Sequence, residues 1–219
     1  MLKMMKLDWS AIRCYHMRLL IIPAALLLLG WFSTILLVPM AVFMTFSFSI
    51  NLFFIEEKGD LNRLYLTLPI ERNRIVFSRY LLSFILFAAG ILLSLALTPL
   101  ANLFSLSKWY PDIRWNLALI AVGFLIYAFL GLFMYPLLFK LGYQKGKVWG
   151  YYIPTALICL LYLAIAEYDL AKGGTFIYHL LLYAAEHIYT VTGSIFGFGA
   201  VILAISCLLS VKIYNKREF

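Results

Sequence analysis

The sequence predicts an all-α fold embedded in a membrane, and three observations carry that prediction. Of 219 residues, 64% are apolar and 13% are charged, and the mean hydropathy is +0.94. A soluble domain carries about 45–50% and about 25% respectively, and a chain of this size has no room to hide the excess apolar surface from water. Charge is absent from five long runs, residues 19–55, 80–107, 115–139, 148–166 and 187–211. A helix needs roughly 20 residues to cross about 30 Å of hydrocarbon. Finally, the net charge of +8 is gathered in clusters between these runs and not in one patch, which marks loop charge and argues against a nucleic-acid partner.

Residues 1–15 place Leu2, Met5, Trp9 and Ile12 on one face, with Lys3, Lys6 and Arg13 mostly away from it. That pattern predicts an amphipathic helix lying along the inner leaflet. The apolar stretch that follows is too long for a signal-peptide core. Run 19–55 holds 37 residues, far more than one span, with Gly30, Trp31, Ser33 and Thr34 near its middle. It reads as a hairpin of helices near 16–31 and 35–55. The other four runs hold one helix each, giving six transmembrane helices.

The basic residues check that count. With the N-terminus, 56–79, 140–147 and 212–219 in the cytoplasm, 15 of the 18 Lys and Arg lie inside and three lie outside, in 102–114 and 167–186. This bias matches the positive-inside rule only if 19–55 crosses twice. Both termini are then cytoplasmic. Residues 175–189 (TFIYHLLLYAAEHIY) are mostly apolar and external, either a surface helix or a re-entrant piece.

The loop between the second and third spans, 56–81, carries five basic and four acidic residues with Leu61, Leu64, Leu66 and Leu68 among them. It is either a solvated loop or a short amphipathic helix over about 56–68, stopped by Pro69. In the second case it presents a mixed apolar and charged surface to a partner's groove.

These residues resemble the ABC-2 transporter permeases. The run Glu56-Glu57-Lys58-Gly59, then Leu64 to Thr67, Leu68-Pro69-Ile70, Arg72, Ile75-Val76 and Arg79-Tyr80 is similar to that family's acidic end of the second helix and its TLP-[IV]-x-R-x-x-[IV]-V-x-[SA]-[KR]-Y lead into the third. The ending, Ser210 to Phe219, is similar to the family's basic tail with an acidic-aromatic finish. Length and helix count agree over the whole chain, about 35 residues carry the motif content, and the small bacterial permeases of the phenol-soluble-modulin exporter type are most alike.

The resemblance implies a single permease domain over 1–219 in the bacterial cell membrane. Two such subunits, identical or related, pair above separate ATPase subunits that bind ATP and Mg. The coupling element 56–70 meets the ATPase through Glu56, Glu57, Asp60, Leu61, Arg63, Leu64, Pro69 and Arg72. The substrate class it implies is an amphipathic peptide or another hydrophobic molecule.

The residues agree that an external engine is needed. No G-x-x-x-x-G-K-[ST] occurs; Gly142 to Lys147 has the wrong spacing and is followed by Val148. The longest cytoplasmic segment, 24 residues, leaves no room for a nucleotide-binding domain. No catalytic residue and no cofactor or metal site is expected in this chain. Cys14, Cys159 and Cys207 are far apart, and His179, Glu186 and His187 match no H-E-x-x-H or H-x-x-E-H pattern. Ser47, Ser49, Asn51 and Ser83 are candidates for lining a pathway, though such residues, like Ser94, more often bond their own backbone or a neighbouring helix.

The spans lack ionisable groups, which argues against a proton-coupled transporter. Gly142, Gly146 and Gly150, set among Lys140, Lys145 and Lys147, read as a flexible basic loop. Gly193 and Gly197 read equally as a packing pair or as bystanders. Pro23, Pro39, Pro99, Pro136 and Pro154 are expected at kinks or helix ends. The competing function is a non-transport membrane anchor or assembly factor whose charged loop binds a soluble partner.

Overall fold

The structure, a computed structural model, describes residues 37–58, 72–104, 113–171 and 175–216. The expected surface helix over 1–15, the first span 16–31 and residues 59–70 of the coupling element lie outside the described residues. Those described are helical throughout: α1 (Leu37–Lys58), α2 (Arg72–Phe104), α3 (Ile113–Lys147), a π-helical turn at Val148–Tyr152, α4 (Ile153–Ala171), α5 (Thr175–Glu186) and α6 (Ile188–Asn215).

Leu, Ile, Phe and Ala dominate each long helix, and Lys58 and Lys212 stand in the last turns of α1 and α6, where a cation complements the partial negative charge of the helix end. Pro99 and Pro136 sit inside α2 and α3, as membrane helices tolerate when neighbours take up the freed carbonyls. Pro154 is different. It has no N–H for the carbonyl of Gly150, and the widened turn directly before it, with Ile153 N–H bonded to Val148 O, absorbs the mismatch.

Among the described residues four segments are long and apolar enough to cross a membrane: Leu37–Ile55, Asn73–Phe104, Ile113–Ala171 and Ile188–Asn215. The third has 59 residues, about 90 Å as one straight helix at about 1.5 Å per residue. It does not run straight. Gly142 adopts φ 76°, ψ −176°, a left-handed backbone that favours glycine, and there the chain turns back on itself. A Cβ on Gly146 would lie 2.9 Å from Leu138 Cα, and one on Gly150 would lie 2.9 Å from Met134 Cα. The returning arm therefore lies antiparallel on α3 at a spacing only glycine permits.

This corrects the flexible-loop reading of Gly142, Gly146 and Gly150: Gly146 and Gly150 are buried, while Lys140 and Lys145 point outward from the same turn. A Cβ placed on Gly193 or on Gly197 would meet nothing within 4 Å among the described residues.

Helices α1, α2, α3 and α6 form the core, and α4 leans on it mainly through the π turn. Phe46, Phe53, Phe87, Phe124, Tyr127 and Tyr135 are buried along its length, with edge and tilted ring contacts such as Phe46–Tyr127 at 5.4 Å and Phe53–Phe139 at 5.2 Å. The outside is as apolar as the inside: Leu160 and Leu161 are 61% exposed and Leu208 69%, the surface a lipid-facing helix needs. The ends sort as the charge pattern predicts. Lys58, Asn73, Tyr143 and Asn215 gather at one end, and Leu37, Ala101, Arg114 and Tyr189 at the other.

Candidate functional site

The polar end of the bundle is built by four chain segments. Gly142 interrupts α3, so the next residue, Tyr143, starts a new helical arm with its N–H lacking an intrahelical acceptor. Glu57, in the last turn of α1, supplies one: its Oε2 accepts the Tyr143 N–H at 2.6 Å. A carboxylate at the N-terminus of a helical arm is favoured by charge as well as by the bond. A Cβ on Gly142 would lie 3.3 Å from the same oxygen, so glycine there serves both the turn and the approach of Glu57. Across the same end, Asn215 Nδ2 donates to Asn73 Oδ1 at 2.8 Å, joining α6 to the start of α2. Phe54, Glu57, Lys58, Tyr143, Gln144 and Lys147 surround a cavity of about 580 Å³.

One layer deeper lies a charge that the sequence reading places at the edge of a span. α2 begins at Arg72 and not at Tyr80, so Arg79 is carried into the bundle, 2% exposed, with its guanidinium carbon 4.9 Å from the Phe53 ring centre. The expectation that the spans are free of ionisable groups is corrected here. A buried guanidinium is costly to desolvate, and a facing ring recovers part of that cost.

Its neighbour Tyr80 packs on Tyr135 with ring centres 4.3 Å apart and planes tilted by 38°, and its hydroxyl lies 2.6 Å from Ser206 Oγ and 2.8 Å from Ser210 Oγ. Ser206 gives its proton to Gly131 O at 2.8 Å. The order of donors follows from that: Tyr80 donates to Ser206, and Ser210 donates to Tyr80. Three helices, α2, α3 and α6, are joined by one chain of bonds.

The pathway candidates belong to a second buried set. Ser49 Oγ donates to Ser83 Oγ at 3.1 Å, which also accepts from Tyr127 at 3.1 Å. Ser47 bonds Phe43 O, and Tyr151 lies 3.1 Å from its hydroxyl; Ser94 bonds Ile91 O. Ser49 and Ser83 are 2% and 1% exposed, so in this state they hold helices together, and a substrate reaches them only if the bundle opens. Asn51 is half-buried on α1. The Tyr135 hydroxyl, nearby, is buried with no hydrogen-bond partner among the described residues.

Of the coupling residues, Glu57 is placed at the polar end, Arg72 opens α2, and Glu56 belongs to the last turn of α1. Asp60, Leu61, Arg63, Leu64 and Pro69 lie outside the described residues. Among the described residues no group of three or more His, Cys, Asp and Glu could hold a metal ion; His187 stacks on Tyr183 at 4.9 Å. The sequence reading missed Tyr143, Lys147 and the Tyr80–Ser206–Ser210 chain. Ser206 and Ser210 stand four apart, a spacing that puts both on one helix face.

No match was found among curated proteins or solved structures. The family described as "ABC-2 family transporter protein" matches residues 3–215, a range that takes in every described helix, the polar end and the buried Arg79. A multi-pass apolar bundle with a polar end and this match converge on one assignment: the chain belongs to the ABC-2 transporter family, as a membrane permease.

Proposed function

We propose that this single 219-residue domain is the permease subunit of an ATP-driven exporter, paired with a second permease subunit and with separate ATPase subunits that bind ATP and Mg. In this reading the six spans, with both termini and residues 56–70 in the cytoplasm, sit in a bacterial cell membrane. The substrate is an amphipathic peptide or another hydrophobic molecule. The observation that carries the proposal is the bond between Glu57 and Tyr143, because it ties the start of 56–70 to the turn of the α3 hairpin. A partner pressing on 56–70 would load α1 and that turn together. At the other end of the element, Arg72 opens α2, which carries Arg79 and Tyr80 into contact with α1, α3 and α6. Nucleotide binding that draws two ATPase subunits together would then favour one packing of the bundles over another, a switch driven by differential affinity for two states.

Copurification of the tagged permease with its ATPase tests the coupling. Leu64→Ala is expected to weaken the complex more than Arg74→Ala, since truncating an interface anchor costs about 1–2 kcal/mol or more and a rim charge less. Glu57→Lys is expected to impair substrate-stimulated hydrolysis even where the complex survives. If both Leu64→Ala and Glu57→Lys bind and stimulate the ATPase like the parent, 56–70 is only a connector and the anchor or assembly role becomes the better account.

A further inference from the structure

The cavity at the polar end has features that the coupling role leaves unexplained. Its two cations are held over aromatic rings: Lys58 Nζ lies 4.9 Å from the Phe54 centre and Lys147 Nζ 4.8 Å from the Tyr143 centre. The two rings are themselves in contact at 5.1 Å. Phe54 and Tyr143 thus form a floor with an ammonium group on each ring, and the Gln144 amide adds further donors at the rim. The one carboxylate in the lining, Glu57, is engaged by the Tyr143 N–H. With two lysines against one glutamate, the lining carries a net charge of one positive unit.

Depth decides what such a site meets. The apolar stretch of α1 ends at Ile55, and Lys58 follows within one turn of helix, at the depth where lipid phosphates lie. An aromatic floor with cations above it suits a molecule whose glycerol and upper acyl carbons rest on rings while its phosphate meets ammonium groups. A phospholipid of the surrounding bilayer carries its phosphate at that same depth.

We propose that the cavity lined by Phe54, Lys58, Tyr143, Gln144 and Lys147 is a binding site for the headgroup of an acidic phospholipid. The lipid bridges the end of α1 and the returning arm of the α3 hairpin, so bilayer composition acts on the joint between them. This goes beyond the transport role and does not depend on it.

Native mass spectrometry of the purified full-length chain, titrated with phosphatidylglycerol or with phosphatidylcholine, tests the site. Phosphatidylglycerol is expected to bind first and more tightly. Each lysine near a charged headgroup is worth about fivefold in affinity, so Lys58→Gln with Lys147→Gln should weaken phosphatidylglycerol about 25-fold and bring it close to phosphatidylcholine. Lys58→Arg with Lys147→Arg should retain the preference, and Lys140→Gln, outside the cavity, should leave it unchanged. Equal binding of the two lipids by the parent overturns the proposal, as does an undiminished preference in the double Gln variant or its loss in the double Arg variant. Inorganic phosphate at 100-fold excess over lipid is expected to displace nothing; full displacement would mark a free-anion site and sink the lipid assignment.

Discussion

At the scale of single residues, Tyr80 is where a hydroxyl decides how helices are held. It donates to Ser206 and accepts from Ser210, while Ser206 is anchored to Gly131 O. Hydrogen bonds between membrane helices contribute about 0.6 kcal/mol on average and at most about 1.7. Tyr80→Phe is therefore expected to lower stability by about that range, and Ser206→Ala by more, because it also leaves Gly131 O with one bond fewer. Reversible unfolding in mixed micelles measures both; equal stability of Ser206→Ala and the parent would show that the chain of bonds contributes nothing. Part of this was legible beforehand. Ser47, Ser49, Ser83 and Ser94 read as residues that bond a backbone or a neighbouring helix, and they do. The tyrosine partners could not be read, because Tyr151 is 104 positions from Ser47, Tyr127 is 44 from Ser83 and Tyr80 is 126 from Ser206, and no local pattern links them.

At the scale of elements, two glycine pairs with the same spacing behave differently. Gly146 lies against the backbone of Leu138, and Gly193 faces open space among the described residues. Gly146→Val is expected to destabilise the chain by about 1–3 kcal/mol through overpacking, whereas Gly193→Val should leave the chain's own unfolding midpoint unchanged. Gly142→Ala should cost about 1–3 kcal/mol, because φ 76° with ψ −176° is a conformation essentially only glycine adopts. Thermal unfolding of the three variants in one detergent checks the order; a Gly193→Val protein less stable than Gly146→Val would contradict the hairpin packing. The sequence shows the spacing of four in both pairs but not which pair is covered, since that depends on where α3 turns. The lysines misled for a physical reason: Lys140 and Lys145 decorate the outer side of a turn whose inner side is close-packed.

At the scale of the whole molecule, the long helices were the most legible feature. A helix that faces lipid on one side and other helices on the other is apolar all round, and uncharged runs mark it without any periodicity. Runs 115–139 and 148–166 fall on helix, run 187–211 does so from Ile188 and run 80–107 as far as Phe104, where the described residues stop; α2 also begins ahead of its run, at Arg72. The first span, 16–31, lies outside the described residues, so topology needs its own measurement. Reporter fusions after Glu57 and after Lys145 are expected to read cytoplasmic, and fusions near Asp112 and Lys172 external; a cytoplasmic signal at Lys172 would overturn the six-span arrangement. The purified chain alone is expected to hydrolyse no ATP above a mock preparation, and robust hydrolysis would end the subunit reading.

The turn at Gly142 also sets a length standard. Gly146 and Gly150 face Leu138 and Met134 only because a fixed number of residues separates them from the reversal. One residue inserted or deleted between Gly142 and Gly146 would rotate the returning arm by about 100° about its own axis and bring side chains where hydrogens now meet backbone. Insertions and deletions in this stretch should be far less tolerated than substitutions on its outer side, at Lys145 for instance. A scanning library that accepts single-residue insertions after Gln144 as readily as side-chain changes at Lys145 would show that the turn keeps no such count.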